Sequence, residues 1–234
     1  MSTKRERREG ARQERAAIQR RIHRRRRNRT LIFAGLAFVL AAVIGVFAIA
    51  SSPSPQAPSG GDLAGLQTGP PPWPPEYKFL QQRLQALGLP AERSMAANLH
   101  HHDLLQIFIH GQPVTVPANI GIDQTAGYLT SLHTHDASGI IHIESPEPRD
   151  FTLGEFFDVW GVRLTSDCIG GDCNAGDNQL RAYVNGTPYT GDPRTIPLGQ
   201  HDDIVLTYGT EAELPNPIPA TYPNDLSPYC APSC

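Results

Sequence analysis

The stretch SLHTHDASGIIHIES, residues 131–145, decides how the rest of the chain is read. Two alternating runs flank the turn formers Asp136-Ala137-Ser138-Gly139, which predicts a β-hairpin. If Asp136 and Gly139 close the turn, His135 faces Ile140 and His133 faces His142. Successive side chains point to opposite sides of a strand. Leu132, Thr134, Ile141 and Ile143 then form a mostly apolar face, and His133, His135, His142 and Glu144 form the other. Three imidazoles and a carboxylate on one side of one hairpin suit a metal site.

Upstream, His100-His101-His102-Asp103 leads into a strand over Leu104–His110 with Leu105, Ile107 and Ile109 on one side. Gly111-Gln112-Pro113 is the expected turn into Val114-Thr115-Val116, a second hairpin. Further back, Phe79, Leu80, Leu84 and Leu87 share one face of a helix over Glu76–Leu87, which Gly88 and Pro90 end. Downstream, Pro146 and Pro148 break the sheet. Thr152 with Glu155 three residues on is a capping box for a helix over Leu153–Trp160. Phe156, Phe157 and Trp160 of that helix belong in a core. Leu180–Val184 and Ile204–Tyr208 read as further strands, with a turn at Asn185-Gly186. The order predicts an α+β domain with a mixed or antiparallel sheet of hairpins and a short packed helix, topologically compatible with a β-grasp arrangement.

The flanks are of another kind. Residues 1–30 hold thirteen Lys/Arg and three Glu, so of the chain's 20 basic and 23 acidic residues only seven basic ones, against twenty acidic, remain beyond residue 50. Residues 31–50, LIFAGLAFVLAAVIGVFAIA, are apolar throughout and long enough to span a bilayer as a helix. The arginines before them hold the N-terminus in the cytoplasm, and the basic segment would also meet anionic lipid headgroups. That position explains the arginines without nucleic acid. Ala48-Ile49-Ala50 resembles a signal-peptidase site, but the length of the apolar run favours a retained single-pass anchor. The domain organisation expected is thus a basic cytoplasmic segment (1–30), the membrane helix (31–50), a Pro/Gly/Ser-rich linker (51–75), an extracytoplasmic domain (76–213) and a Pro-rich tail (214–234). In that oxidising compartment Cys168, Cys173, Cys230 and Cys234 are expected as disulfides, with Cys168–Cys173 and Cys230–Cys234 the favoured pairing over a four-cysteine zinc site.

Seven of the nine histidines lie between residues 100 and 142. Imidazole suits first-row transition metals, and the chain's two methionines, Met1 and Met95, are too few for a thioether-rich copper(I) site. The candidate ligands are His133, His135 and His142, with Glu144 or Asp136 as a fourth ligand or as a partner that orients an imidazole. His100 and His102 share a face if the first strand extends backward. They would then complete the site or build another. Zinc and copper are the ions expected. HTHD resembles the His-x-His-x-Asp motifs of metallo-hydrolases but lacks their continuation, and the folded part is too small for their barrels. Asp167, Asp172 and the stretch Cys173–Asp177 miss the EF-hand spacing and read as an acidic disulfide-closed loop.

LHTHDASGIIHIESP, FTLGEFFDVWG and YVNGTPYTGDPRTIPLGQHDDIVLTYG, with QPVTVPANIGI upstream, together resemble a family of uncharacterised secreted or membrane-anchored bacterial and archaeal proteins. The resemblance spans Leu99–Gly209 and supports a domain boundary without implying an activity. Three functions follow from the residues. The first is a membrane-anchored extracytoplasmic domain that binds a transition metal for handling or sensing. The second is a small metalloenzyme with an open coordination position and Glu144 as base. The third is a metal-free envelope module that docks a protein partner through exposed Phe156, Phe157 and Trp160.

Overall fold

The computed structural model describes residues 63–94 and 98–223. The expected basic segment, membrane helix and Cys230–Cys234 pair lie outside them. Among the described residues no helix is long and apolar enough to cross a membrane.

Among the described residues two α-helices, α1 (Leu80–Leu87) and α2 (Leu153–Trp160), accompany a mixed sheet. The strands are β1 (Leu99–Ile109), β2 (Gln112–Val114), β3 (Ile122–Asp123), β4 (Tyr128–Leu129), β5 (Leu132–His133), β6 (Ile140–Ser145), β7 (Phe151–Thr152), β8 (Cys168–Ile169), β9 (Asp172–Cys173), β10 (Gln179–Val184), β11 (Thr187–Tyr189), β12 (Pro197–Leu198) and β13 (Asp203–Gly209). The main sheet runs β11-β10-β13-β1-β6-β5, with β2 also on β1. Its central pair β1 and β13 is parallel, and its other pairs are antiparallel. β1 is long enough to take two partners along one edge, β6 opposite residues 99–104 and β2 opposite 107–109. Gly139 stands where those partners meet. Its φ is +87° and a Cβ there would lie 2.4 Å from the Leu105 carbonyl oxygen, so only glycine fits.

One sheet face carries the apolar stripe of each strand: Leu105 and Ile107, Ile141 and Ile143, Leu132, Ile204 and Leu206, all buried. α2 lies on it. Its capping box forms as the sequence predicts, Thr152 Oγ1 accepting from the Glu155 N–H and the Glu155 carboxylate from the Thr152 N–H. Gly161 ends it in the left-handed conformation. Phe156, Phe157 and Trp160 are fully buried, which removes the exposed aromatic face that a docking module needed.

Three expectations shift. The hairpin of β1 and β2 turns at His110-Gly111, not Gly111-Gln112-Pro113, because both residues adopt positive φ (+49° and +73°), as a two-residue hairpin loop requires. α1 starts at Leu80, four residues late, because Glu76 is engaged in front of it. The Glu76 carboxylate accepts from the Phe79 N–H at 3.2 Å and pairs with Arg83 at 2.5 Å. The linker assigned to 51–75 is packed over its described part. Trp73 is 2% exposed, sits edge-on to Trp160, and its carbonyl accepts from the Trp160 indole N–H. Arg83 is buried and holds this segment down, donating to the carbonyls of Ala64, Glu76 and Asp158. A proline-rich composition predicts extension, and an extended chain with a tryptophan can still pack.

The Cys168–Cys173 disulfide forms and closes the β8–β9 hairpin. Residues 214–223 are irregular, as expected, but run over the second sheet face, where the Thr221 N–H bonds the buried Asp203 carboxylate and Tyr222 stacks on His201.

Candidate metal centre

Strand pairing builds the site. His133 faces His142 across β5 and β6, in the register the turn residues predict. β1 does extend backward, so His102 faces His142 from the other side and His100 faces Glu144. His102, His142 and His133 thus make one row across three strands, with His100 and Glu144 in the next row on the same face. His135 lies past the end of β5, its ring centroid 4.4 Å from that of His142. Two sets of donor atoms each fall within 4.8 Å: His133, His135, His142 and Glu144, and His100, His102 and His142. All six candidate ligands are therefore brought together.

The His133 ring shows how the site is prepared. Its Nδ1 lies 2.9 Å from the Thr130 carbonyl oxygen, which can only accept, so Nδ1 carries the proton. The other nitrogen, Nε2, then presents a bare lone pair. It is buried and has no hydrogen-bond partner. His142 is similar. Its Nδ1 shares a hydrogen bond of 3.1 Å with His102 Nε2, and its Nε2 is buried without a partner. Burial of unpaired polar atoms costs free energy, and a metal ion would relieve two such atoms here. Glu144 Oε1 stands 3.3 Å from His100 Nε2, 3.9 Å from His133 Nε2 and 4.0 Å from His142 Nδ1.

Electrostatics keep the buried imidazoles neutral. Burial pushes His102 and His133 down to about 4 and His142 down to about 2, and the neighbouring histidines add to each shift. Neutral imidazole is the form that ligates. Behind the row, on the opposite face of β1, Asp103 is fully buried. Its Oδ1 accepts from the Asp202 N–H at 2.9 Å, its Oδ2 has no partner, and burial pushes its carboxyl up to about 7.

One assignment changes, and one residue joins the surroundings of the site. Asp136 orients no imidazole. Its Oδ1 accepts the Ser138 N–H within the turn, and it belongs to neither donor set. His201, to which no motif gives a place in the site, lies beside it: the His201 N–H donates to the His102 carbonyl at 2.8 Å, and its charge would depress His102. The β1–β13 crossover brings residue 201 there, and no local pattern signals it. Asp103 was equally hidden, although an acidic residue at an inward-facing strand position is a sign of burial. The acidic loop at 167–177 forms no third donor set among the described residues.

No protein-family model matches the chain, and no curated protein or solved structure shows significant similarity to it.

Proposed function

We propose that this domain binds a transition metal, zinc or copper, through the histidine face of β1, β5 and β6, in a protein anchored to the cell membrane by residues 31–50, with the domain outside and the basic segment inside. Handling or sensing of the metal is the role. The observation that carries the reading is the His133 ring, locked by a backbone carbonyl so that a buried, unpartnered lone pair points into a set of four donors within 4.8 Å. The central parallel pair with a helix packed on one face supports a β-grasp-like reading of the fold.

The test is the metal content, by elemental mass spectrometry, of the full chain purified from membranes without a histidine tag. Stoichiometric zinc or copper in the wild type, lost in a His133→Ala/His135→Ala variant and kept in His110→Ala, is expected. His110 is exposed and pairs with Glu213 away from the cluster, which makes it the control. A metal-free chain that takes up neither ion on addition would end the reading.

A metalloenzyme is the second reading. A cavity of about 420 Å³ lies along the same sheet face, bounded by Leu104, Gln106 and Ile140 and by tail residues including Pro219 and Thr221. The Leu104–Ile140 pair is two residues along from His102–His142. A small molecule reaching from there along the face to the histidine row would meet an open coordination position, with Glu144 in the next row as base.

A further inference from the structure

The two donor sets have only His142 in common. Bonds of about 2.0–2.2 Å allow any two ligands of one ion to lie at most about 4.4 Å apart. His102 and His133 stand on strands to either side of β6, and strands two places apart in a sheet are separated by about 9–10 Å. As the rings stand, no set of donor atoms within 4.8 Å holds both, so one ion does not reach His102 and His133 together. His142 has two nitrogens to offer: Nδ1 lies 3.1 Å from His102 Nε2, and Nε2 is buried and unpartnered. The 3.1 Å spacing is that of two ligands on one ion, which bond lengths near 2.1 Å and angles of 90–110° put at about 3.0–3.4 Å.

Resting on the metal reading above, we propose that the cluster takes two transition-metal ions side by side, one held by His133, His135 and Glu144, the other by His100 and His102, with His142 between them. Glu144 Oε1, within 4 Å of both His100 and His133, lies between the two positions as their common carboxylate. Each set has one solvent-exposed histidine, His135 or His100, so each ion has a way in. A ring that binds through both nitrogens releases its N–H proton to solvent. One carboxylate and one imidazolate against two divalent ions still leave an excess of positive charge, which suits copper or zinc carrying hydroxide.

The experiment is a copper(II) titration of the full-length, metal-stripped protein in detergent, read by bound metal per chain and by electron paramagnetic resonance. Two ions should bind, and the signal should rise with the first and fall as the second enters, because adjacent copper(II) ions couple. His100→Asn/His102→Asn should bind one ion with a full, uncoupled signal, and near-ultraviolet circular dichroism checks that it is folded. Two outcomes overturn the pair. One is saturation of the wild type at a single ion with affinity unchanged in the His100/His102 variant, which leaves the metal reading intact. The other is two ions with independent signals, which puts the second ion elsewhere. Absence of tight binding in every form overturns the metal reading and the pair together.

Discussion

At the scale of single residues, the buried imidazoles and Asp103 set opposite pH dependences. His102 and His133 titrate near 4 and His142 near 2 in the folded domain, against about 6.5 in an unfolded chain. Below about 6.5 the unfolded chain binds protons that the folded one refuses, so these groups leave stability whole above that pH and remove it as pH falls toward 4. Thermal melts of the metal-free protein should show that loss, and His142→Gln should shrink it. Asp103 runs the other way: raised to about 7 from 3.8, it favours the folded state at low pH and opposes it as pH climbs to 7. Asp103→Asn should therefore raise the melting temperature by several degrees at pH 8 and leave it unchanged near pH 4. The same His142→Gln change should weaken metal affinity by at least about 100-fold in competition with a chromophoric chelator, more than removal of a residue that only orients a ligand. His110→Gln should leave affinity unchanged.

At the scale of elements, local rules carry far. The 131–145 hairpin, its register and the Thr152–Glu155 capping box are legible because each depends on residues a few positions apart. Thr152→Ala should cost about 1 kcal/mol in denaturant unfolding. Gly139→Ala should cost more than about 1 kcal/mol, since it sets a Cβ against the Leu105 carbonyl in a backbone conformation that alanine resists. What local rules do not reach is partner choice. The HHHD run at 100–103 reads as the approach to a strand. Only the pairing of β1 with β6, forty residues away, turns His100 and His102 toward the site. His201 is less legible still, since its position follows from the parallel β1–β13 pairing over about a hundred residues.

At the scale of the whole molecule, composition misplaces the boundary. The proline-rich run up to residue 75 reads as a spacer, yet Trp73 lies inside the core against Trp160, and Arg83 binds the backbone at Ala64 and Glu76. Trp73→Ala should cost about 3–5 kcal/mol, in line with other buried tryptophans. A fragment starting at Glu76 should melt well below one starting at Leu63. The buried arginine on an otherwise apolar helix face was the available signal, because a charge in that position needs partners from outside the helix.

The row of His102, His142 and His133 draws on three strands, two of them joined only by long-range pairing. Such contacts form late, after the loops between them have closed. On the proposed topology, a chain still threading across the membrane would offer an ion only the short runs His100–His102 and His133–His135, not the assembled row. Capture of the proposed ion would wait for completion of the sheet, and the ion would then hold the sheet closed by mass action. On the proposed topology, loading outside the cell would certify that a copy has folded.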